Sequence, residues 1–116
     1  MQTSDGIGTR SRTAGEWLAA ARRYERQGEL FQAYDVAMQG LHRFPDDFAL
    51  KHRAVLCLAS TGATAQATQL FAELGLDFTA SEIASLPPNF RLDIPSLKAR
   101  LRKDAALNAA IPAHPG

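Results

Sequence analysis

The residue types that most often carry catalysis or bind metals are few and scattered in this chain. The three histidines, His42, His52 and His114, lie far apart, and none has a second histidine or a cysteine at metal-ligand spacing. The single cysteine, Cys57, lies among apolar residues with no activating base nearby, which favours a buried, inert thiol over a nucleophile. We therefore expect no metal site, no cofactor and no enzymatic activity.

The acidic and basic side chains suggest binding rather than acid–base catalysis. Glu25, Glu29 and Asp35 stand singly on the polar faces of predicted helices, without the partner acid that such catalysis uses. No strand is predicted, so no Gly-rich loop follows a strand as a phosphate site would require. Arg22 and Arg26, in contrast, are one helical turn apart and together can hold a carboxylate of a partner. The alternative is that both are ordinary surface charges.

The formal net charge of +1 is unevenly distributed along the chain. Residues 1–26 carry a net charge of +2, residues 27–82 carry −4 and residues 83–116 carry +3. Such a distribution is typical of solvated faces, and it also permits electrostatic complementarity between copies of the chain or with a charged partner. Self-association is therefore one hypothesis for this protein.

The positive C-terminal segment contains a dense group of basic residues: Lys98, Arg100, Arg102 and Lys103. A solvated helix face explains this group, and a basic patch for an acidic protein or a nucleic acid is the functional alternative. Aromatic residues are not interleaved with these cations, which disfavours nucleic acid as the partner.

Length and composition predict a single all-α domain. A chain of 116 residues has the size of one domain, and 46% hydrophobic with 22% charged residues is ordinary for a globular protein. Alanine is abundant and β-branched residues are scarce, which favours helices. No apolar run approaches the ~20 residues of a membrane span, and the N-terminus lacks the apolar core of a secretory signal. We therefore expect a protein that does not enter a membrane. A single cysteine cannot form an internal disulfide, which fits a reducing compartment, so we also expect a cytoplasmic location.

Hydrophobic periodicity and helix-end signals predict four helices in the first two thirds of the chain. We expect them at about residues 14–27, from residue 30 to before Pro45, at 48–60 and at 64–74. Thr13 and Glu16 form a capping-box signature for the first helix, and the aspartates before the third helix can cap it. A glycine follows the first, third and fourth helices and is suited to end each of them.

The pattern is less regular after residue 75. Two consecutive prolines leave room only for a short turn at about 80–85, and residues 89–92 are expected to form an extended connector. Asp93 can then cap a last helix that runs to about residue 109. Residues 1–12 and 110–116 show no periodicity, and we expect a flexible arm and a tail.

A shift of 34 residues superposes the first two helices on the next two. The shift aligns small residues in pairs: Ala20 with Ala54, Gly28 with Gly62, and Ala33 with Ala67. Trp17, Tyr24 and Pro45 occupy further positions of the pattern in the first unit, and Phe71 does so in the second. These residues resemble the tetratricopeptide repeat, a helix–turn–helix unit of about 34 residues. The units lie at about 14–47 and 48–81, and the alternative is a generic pair of Ala-rich helical hairpins.

The resemblance implies a short α-solenoid of stacked antiparallel hairpins over residues 13–81. A connector and a capping helix over 82–109 would follow as a degenerate third unit, and the repeat register matches that helix to the second helix of a unit. In function the resemblance implies a non-enzymatic scaffold or adaptor that binds a peptide or a partner helix of another protein. The binding site would be a concave groove lined by the first helix of each unit. Carried over to this chain, the groove positions include Leu18, Arg22, Glu25, Arg26, His52 and Leu56.

Overall fold

The computed structural model describes residues 12–110 of the chain. Within this range every regular element is a helix, which confirms the all-α prediction. The helices are α1 (Ala14–Arg26), α2 (Leu30–Arg43), α3 (Phe48–Ser60), α4 (Thr64–Glu73), α5 (Ala80–Ala84), α6 (Pro88–Arg91) and α7 (Asp93–Ala110). None of these described helices is both long and apolar enough to cross a membrane. Apart from Arg12, the predicted arm lies outside the described residues, as do residues 111–116 of the predicted tail, with His114.

Side-chain caps define where the helices begin. The Oγ1 atom of Thr13 accepts a hydrogen bond from the backbone N–H of Glu16 at 3.1 Å, and the carboxylate of Glu16 accepts one from the N–H of Thr13 at 2.7 Å. A carboxylate oxygen of Asp47 accepts a bond from the N–H of Leu50 at 3.0 Å at the start of α3. Both predicted caps are therefore confirmed, and each satisfies backbone donors that the first helical turn leaves unpaired.

Two equivalent glycines allow the chain to reverse after α1 and α3. Gly28 has a φ of 79° and Gly62 a φ of 94°, which is the left-handed region that residues with a Cβ rarely adopt. The N–H groups of both bond to carbonyls of the preceding turn, Glu25 at 2.9 Å and Ala59 at 3.0 Å. The helices α1 and α2 thus form one tight hairpin, and α3 and α4 form a second.

Small residues let α1 to α4 approach one another closely. Each of these helices packs against the next, and α1 also packs against α3. Five alanines in this core have no exposed surface: Ala21, Ala33, Ala37, Ala54 and Ala67. Gly40 is in the tightest place, because a Cβ there would lie 2.8 Å from Cβ of Trp17 and 3.0 Å from Cδ1 of Leu50. At such positions a larger side chain would push the helices apart.

The helices α1, α3 and α7 run in the same direction. Gly40 of α2 lies against both Trp17, near the start of α1, and Leu50, near the start of α3, and Glu25 meets Cys57 near the ends of these two helices. Similarly, α7 packs against α3 and α4, and its residue Arg100 bonds to Ser60 at the end of α3. The 34-residue shift aligns the sequence of α7 with α2 and α4, the second helices of the predicted units. In the structure, however, α7 lies parallel to α3, which is the first helix of its predicted unit.

The segment before α7 differs from the sequence prediction. Residues 89–92 were expected to be extended, but Pro88–Arg91 forms the short helix α6, so that prediction is wrong. The fixed φ of a proline suits the first turn of a helix, where its missing N–H is not needed. Phe90 of α6 packs on Phe48 with ring centroids 4.1 Å apart, and Phe48 stacks on Phe78 at 6.2 Å. Tertiary contact therefore holds this segment in a helical turn.

Candidate protein-binding face

The residues that the resemblance placed in a groove belong to two neighbouring helices, α1 and α3. We call these residues, with the adjoining part of α7, the α1–α3–α7 face. Its members on the first two helices are Leu18, Arg22, Glu25, Arg26, His52 and Leu56, and its members on α7 are Asp93, Ser96 and Arg100. The structure links α1 to α3 through Glu25, and α3 to α7 through a cleft that includes His52.

Arg22 and Arg26 are exposed on α1. Within residues 12–110, neither guanidinium forms a hydrogen bond or an ion pair. Leu18, one turn before Arg22, is half-buried and contacts the edge of the core. This part of the face therefore presents two cations beside an apolar side chain.

The carboxylate of Glu25 on α1 accepts hydrogen bonds from two residues of α3. Nη1 of Arg53 donates to both carboxylate oxygens of Glu25 at 3.1 Å, and the two side chains are only 21% and 20% exposed. The thiol of Cys57 donates to Oε2 of the same carboxylate at 3.0 Å. The prediction that Glu25 is an isolated carboxylate is wrong, because it joins α1 to α3. A carboxylate so engaged cannot also serve a partner without breaking these bonds.

The burial of Cys57 agrees with the sequence prediction of an inert thiol. Its side chain has no exposed surface. Burial raises the pKa of the Cys57 thiol, and the hydrogen bond to Glu25 and the negative charge of that carboxylate raise it further. The thiol therefore stays protonated near neutral pH, and a protonated thiol is a poor nucleophile.

His52 and Leu56 line a cleft between α3 and α7 with a volume of about 220 Å³. Burial lowers the pKa of His52 below its ordinary value of 6.5, although the negative charge of Asp93 opposes the shift. His52 is therefore neutral near pH 7. Across the cleft Nη2 of Arg100 donates to Oγ of Ser60 at 3.3 Å, and its Nε lies 3.8 Å from a carboxylate oxygen of Asp104.

The four basic residues of the C-terminal helix do not share one surface. Lys98 lies on the side of α7 toward α4 and the segment that follows it, where its Nζ donates to the carbonyl of Phe78 at 2.7 Å and lies 3.1 Å from Oδ1 of Asp77. Arg102 lines the same side, whereas Arg100 lies on the opposite side of α7, toward α3. The reason is the period of 3.6 residues per turn, which separates positions two apart by about 200°. The single basic patch that the sequence suggested is therefore divided, and Lys103 is exposed.

Sequence reasoning missed the residues that depend on tertiary contact. Arg53 pairs with a carboxylate 28 residues earlier, and no local spacing signals that pair. Asp93 was expected to cap the last helix, but it is the first residue within that helix and lines the cleft beside His52. Among residues 12–110, no group of three or more potential ligands could hold a metal ion.

A comparison of the chain with known protein families, with curated protein sequences and with solved structures finds no match. The function must therefore be argued from the residues of this chain. The α1–α3–α7 face offers cationic side chains next to half-buried leucines.

Proposed function

We propose that this chain is a small helical-repeat protein of tetratricopeptide type that binds an acidic segment of another protein. The binding surface is the α1–α3–α7 face, and the protein acts as a non-enzymatic scaffold or adaptor in a reducing compartment such as the cytoplasm. One observation carries the proposal. Glu25, the acidic residue of α1 on this face, is neutralised by Arg53, while Arg22 and Arg26 have no partner within residues 12–110. The α1 part of the face therefore keeps an uncompensated positive charge.

The common direction of α1, α3 and α7 supports a solenoid-like arrangement. In a stack of helical hairpins the first helix of each unit lies beside the first helix of the next, and together they line one side. The two hydrogen bonds from Nη1 of Arg53 to the carboxylate of Glu25 hold α1 against α3. The face would then be a groove with α1 at one edge and α7 at the other.

The chemistry of the face defines the ligand. Arg22 and Arg26 lie one turn apart, so carboxylates of an acidic segment can form charge-assisted hydrogen bonds with both. Leu18 and Leu56 are half-buried and can contact apolar side chains of the same segment. We therefore expect a ligand with two or more acidic residues near at least one large apolar residue, bound as a helix or an extended strand.

Binding of labelled peptides tests this proposal directly. The probes are an acidic peptide that contains leucines and a peptide with the same leucines in which every acid is replaced by lysine. We expect the acidic peptide alone to raise its fluorescence anisotropy with the protein, and the affinity to fall as salt increases. Arg22→Glu with Arg26→Glu should weaken binding about tenfold or more, because a charge-assisted hydrogen bond contributes about 1.5–3 kcal/mol.

Arg23→Glu is the matched control. Arg23 is exposed on the same helix, but it points about 100° away from Arg22. This variant has the same charge change as a single Arg22→Glu variant and should retain nearly all of the affinity. Equal binding of the acidic and basic peptides would contradict the proposal, as would an equal loss of affinity in the Arg22→Glu and Arg23→Glu variants.

A further inference from the structure

A second cleft lies on the other side of α7, between α4 and α7. Its volume is about 270 Å³, and it lies outside the α1–α3–α7 face. Phe71 and Leu101, which are 5% and 4% exposed, line its apolar base, and small residues flank them: Thr68, Ala72 and Ala105. Sites for small molecules usually measure about 300–1,000 Å³, so this open cleft suits a protruding side chain better than a separate ligand.

The packing of α7 shows which elements border this cleft. Within residues 12–110, α7 packs against α3, α4 and α6, and the cleft is lined by residues of α4 and α7 and by Asp77. The cleft therefore lies where a further helix could pack against α4 and α7.

The rim of the α4–α7 cleft has a cation without a partner. Arg102 is exposed, and it forms no hydrogen bond or ion pair within the described part of the chain. Lys98 beside it is already bonded to Asp77 and to the carbonyl of Phe78. An occupant of this cleft should therefore carry an apolar side chain and, close to it, an acidic one.

The α2 helix of the same chain has that pair of side chains on its outer surface. Phe31 is 67% exposed, and it is the one aromatic among the large apolar side chains exposed in residues 12–107. Asp35 follows one turn later, is exposed, and has no hydrogen bond or ion pair within residues 12–110. Residues four apart on a helix are neighbours, so the phenyl ring and the carboxylate project from one place.

We propose that α2 of one copy of this protein docks on the α4–α7 cleft of a second copy. Phe31 inserts between Phe71 and Leu101, and Asp35 pairs with Arg102 at the rim. Because the donor and acceptor surfaces differ, a pair of copies still has one of each free, the cleft of one copy and α2 of the other. The contact is therefore heterologous, and it extends into open chains or closes into a ring.

Sedimentation velocity of the full chain over a range of protein concentrations tests this association. The mean mass of the wild type should rise with concentration at low salt and fall when salt is added. Phe31→Ser should raise the dissociation constant about tenfold or more, because it removes the aromatic anchor of the contact. Asp35→Arg and Arg102→Glu should each do the same by placing like charges opposite each other. All three side chains are exposed, so circular dichroism should report an unchanged helix content.

Mixing the two charge variants gives the decisive result. Asp35→Arg and Arg102→Glu should each be monomeric alone, and an equimolar mixture should associate. In the mixture the arginine introduced at position 35 of one variant meets the glutamate introduced at position 102 of the other, while the remaining contact has the wild-type pair. Asp46→Arg and Lys103→Glu are matched controls at other exposed positions and should associate as the wild type does.

Three outcomes would overturn the proposal. A wild-type chain that stays monomeric at every concentration has no such contact. A mixture of the charge variants that fails to associate shows that Asp35 and Arg102 do not meet. Equal disruption by the control variants shows that net charge, and not this contact, governs the association.

Discussion

The two helical hairpins, α1 to α4, and the chain after Gly75 are packed by different kinds of side chain. In the hairpins, alanines and Gly40 make the closest helix approaches, and a Cβ at Gly40 would come within 2.8 Å of Cβ of Trp17; large side chains such as Leu50 are buried beside them. After Gly75 the chain is held by a few large side chains. Four of them are buried aliphatic residues, namely Leu76, Ile94, Leu97 and Leu101, and two are the aromatic rings of Phe78 and Phe90 beside Phe48.

The difference shows two ways to attach a helix to a core. Small residues let helix backbones approach along their whole length, so the contact is extensive and intolerant of added volume. Large side chains anchor a helix at separate points, and loss of one anchor removes a large fraction of its contact. We therefore expect the hairpins to open together and α7 to open by itself when an anchor is lost.

The largest expected effect comes from removing one anchor in each region. Leu50 of α3 and Ile94 of α7 have no exposed surface, and replacement of either by alanine should cost about 2–5 kcal/mol. Leu50→Ala should accelerate amide hydrogen exchange throughout α1 to α4. Ile94→Ala should accelerate exchange chiefly in α7. If Ile94→Ala accelerates exchange equally in α1 and α2, the two regions form one cooperative unit and the distinction fails.

Alanine substitutions at two glycines should change the free energy of unfolding by smaller amounts and in opposite directions, which tests how closely the hairpin helices pack. Gly40→Ala should lower the free energy of unfolding by about 1–3 kcal/mol, because the new Cβ displaces Trp17 and Leu50. This cost exceeds the gain of about 1 kcal/mol in helix propensity. Gly15→Ala is the matched control, since its Cβ would meet only Oγ1 of Thr13 at 3.8 Å, and it should stabilise by up to about 0.5–1 kcal/mol. Urea unfolding followed by Trp17 fluorescence measures both, and stabilisation by Gly40→Ala would contradict the close approach.

The smallest expected effect is the pH dependence of folding stability that arises from His52, at the junction of α3 and α7. Burial lowers the pKa of His52 in the folded protein, so the unfolded chain binds a proton more readily. Stability should therefore be complete above the ordinary pKa of 6.5 and should fall as the pH drops below it toward the folded value. The urea midpoint of His52→Gln should fall less between about pH 7.5 and 5.5 than that of the wild type. His42→Gln, at an exposed histidine of α2, should keep the wild-type dependence.

A fall in the His52→Gln midpoint as steep as that of the wild type would exclude His52 as the source. Asp93 and Glu25 face His52 with negative charge and Arg53 faces it with positive charge. The observed slope therefore reports the balance between burial, which favours neutral His52, and these neighbouring charges.

The local patterns of the sequence predicted the helices well. Capping at Thr13 and Asp47 and the left-handed glycines after α1 and α3 are confirmed. These features depend on residues within about one helical turn, which is why sequence alone reveals them. The helical turn at Pro88–Arg91 was not predicted, because it depends on the distant ring of Phe48.

For the candidate site, too, some features followed from the sequence and others only from the tertiary structure. The sequence alone placed Leu18, Arg22 and Arg26 on one helix and His52 and Leu56 on another. Only the tertiary structure showed that Arg53 neutralises Glu25, that α7 lies parallel to α3, and that the basic residues of α7 face opposite sides. The physical reason is the separation along the chain of the groups that interact. Periodicity and capping act between residues a few positions apart, whereas pairing of charges and the direction of helix packing depend on groups that meet only after the chain has folded.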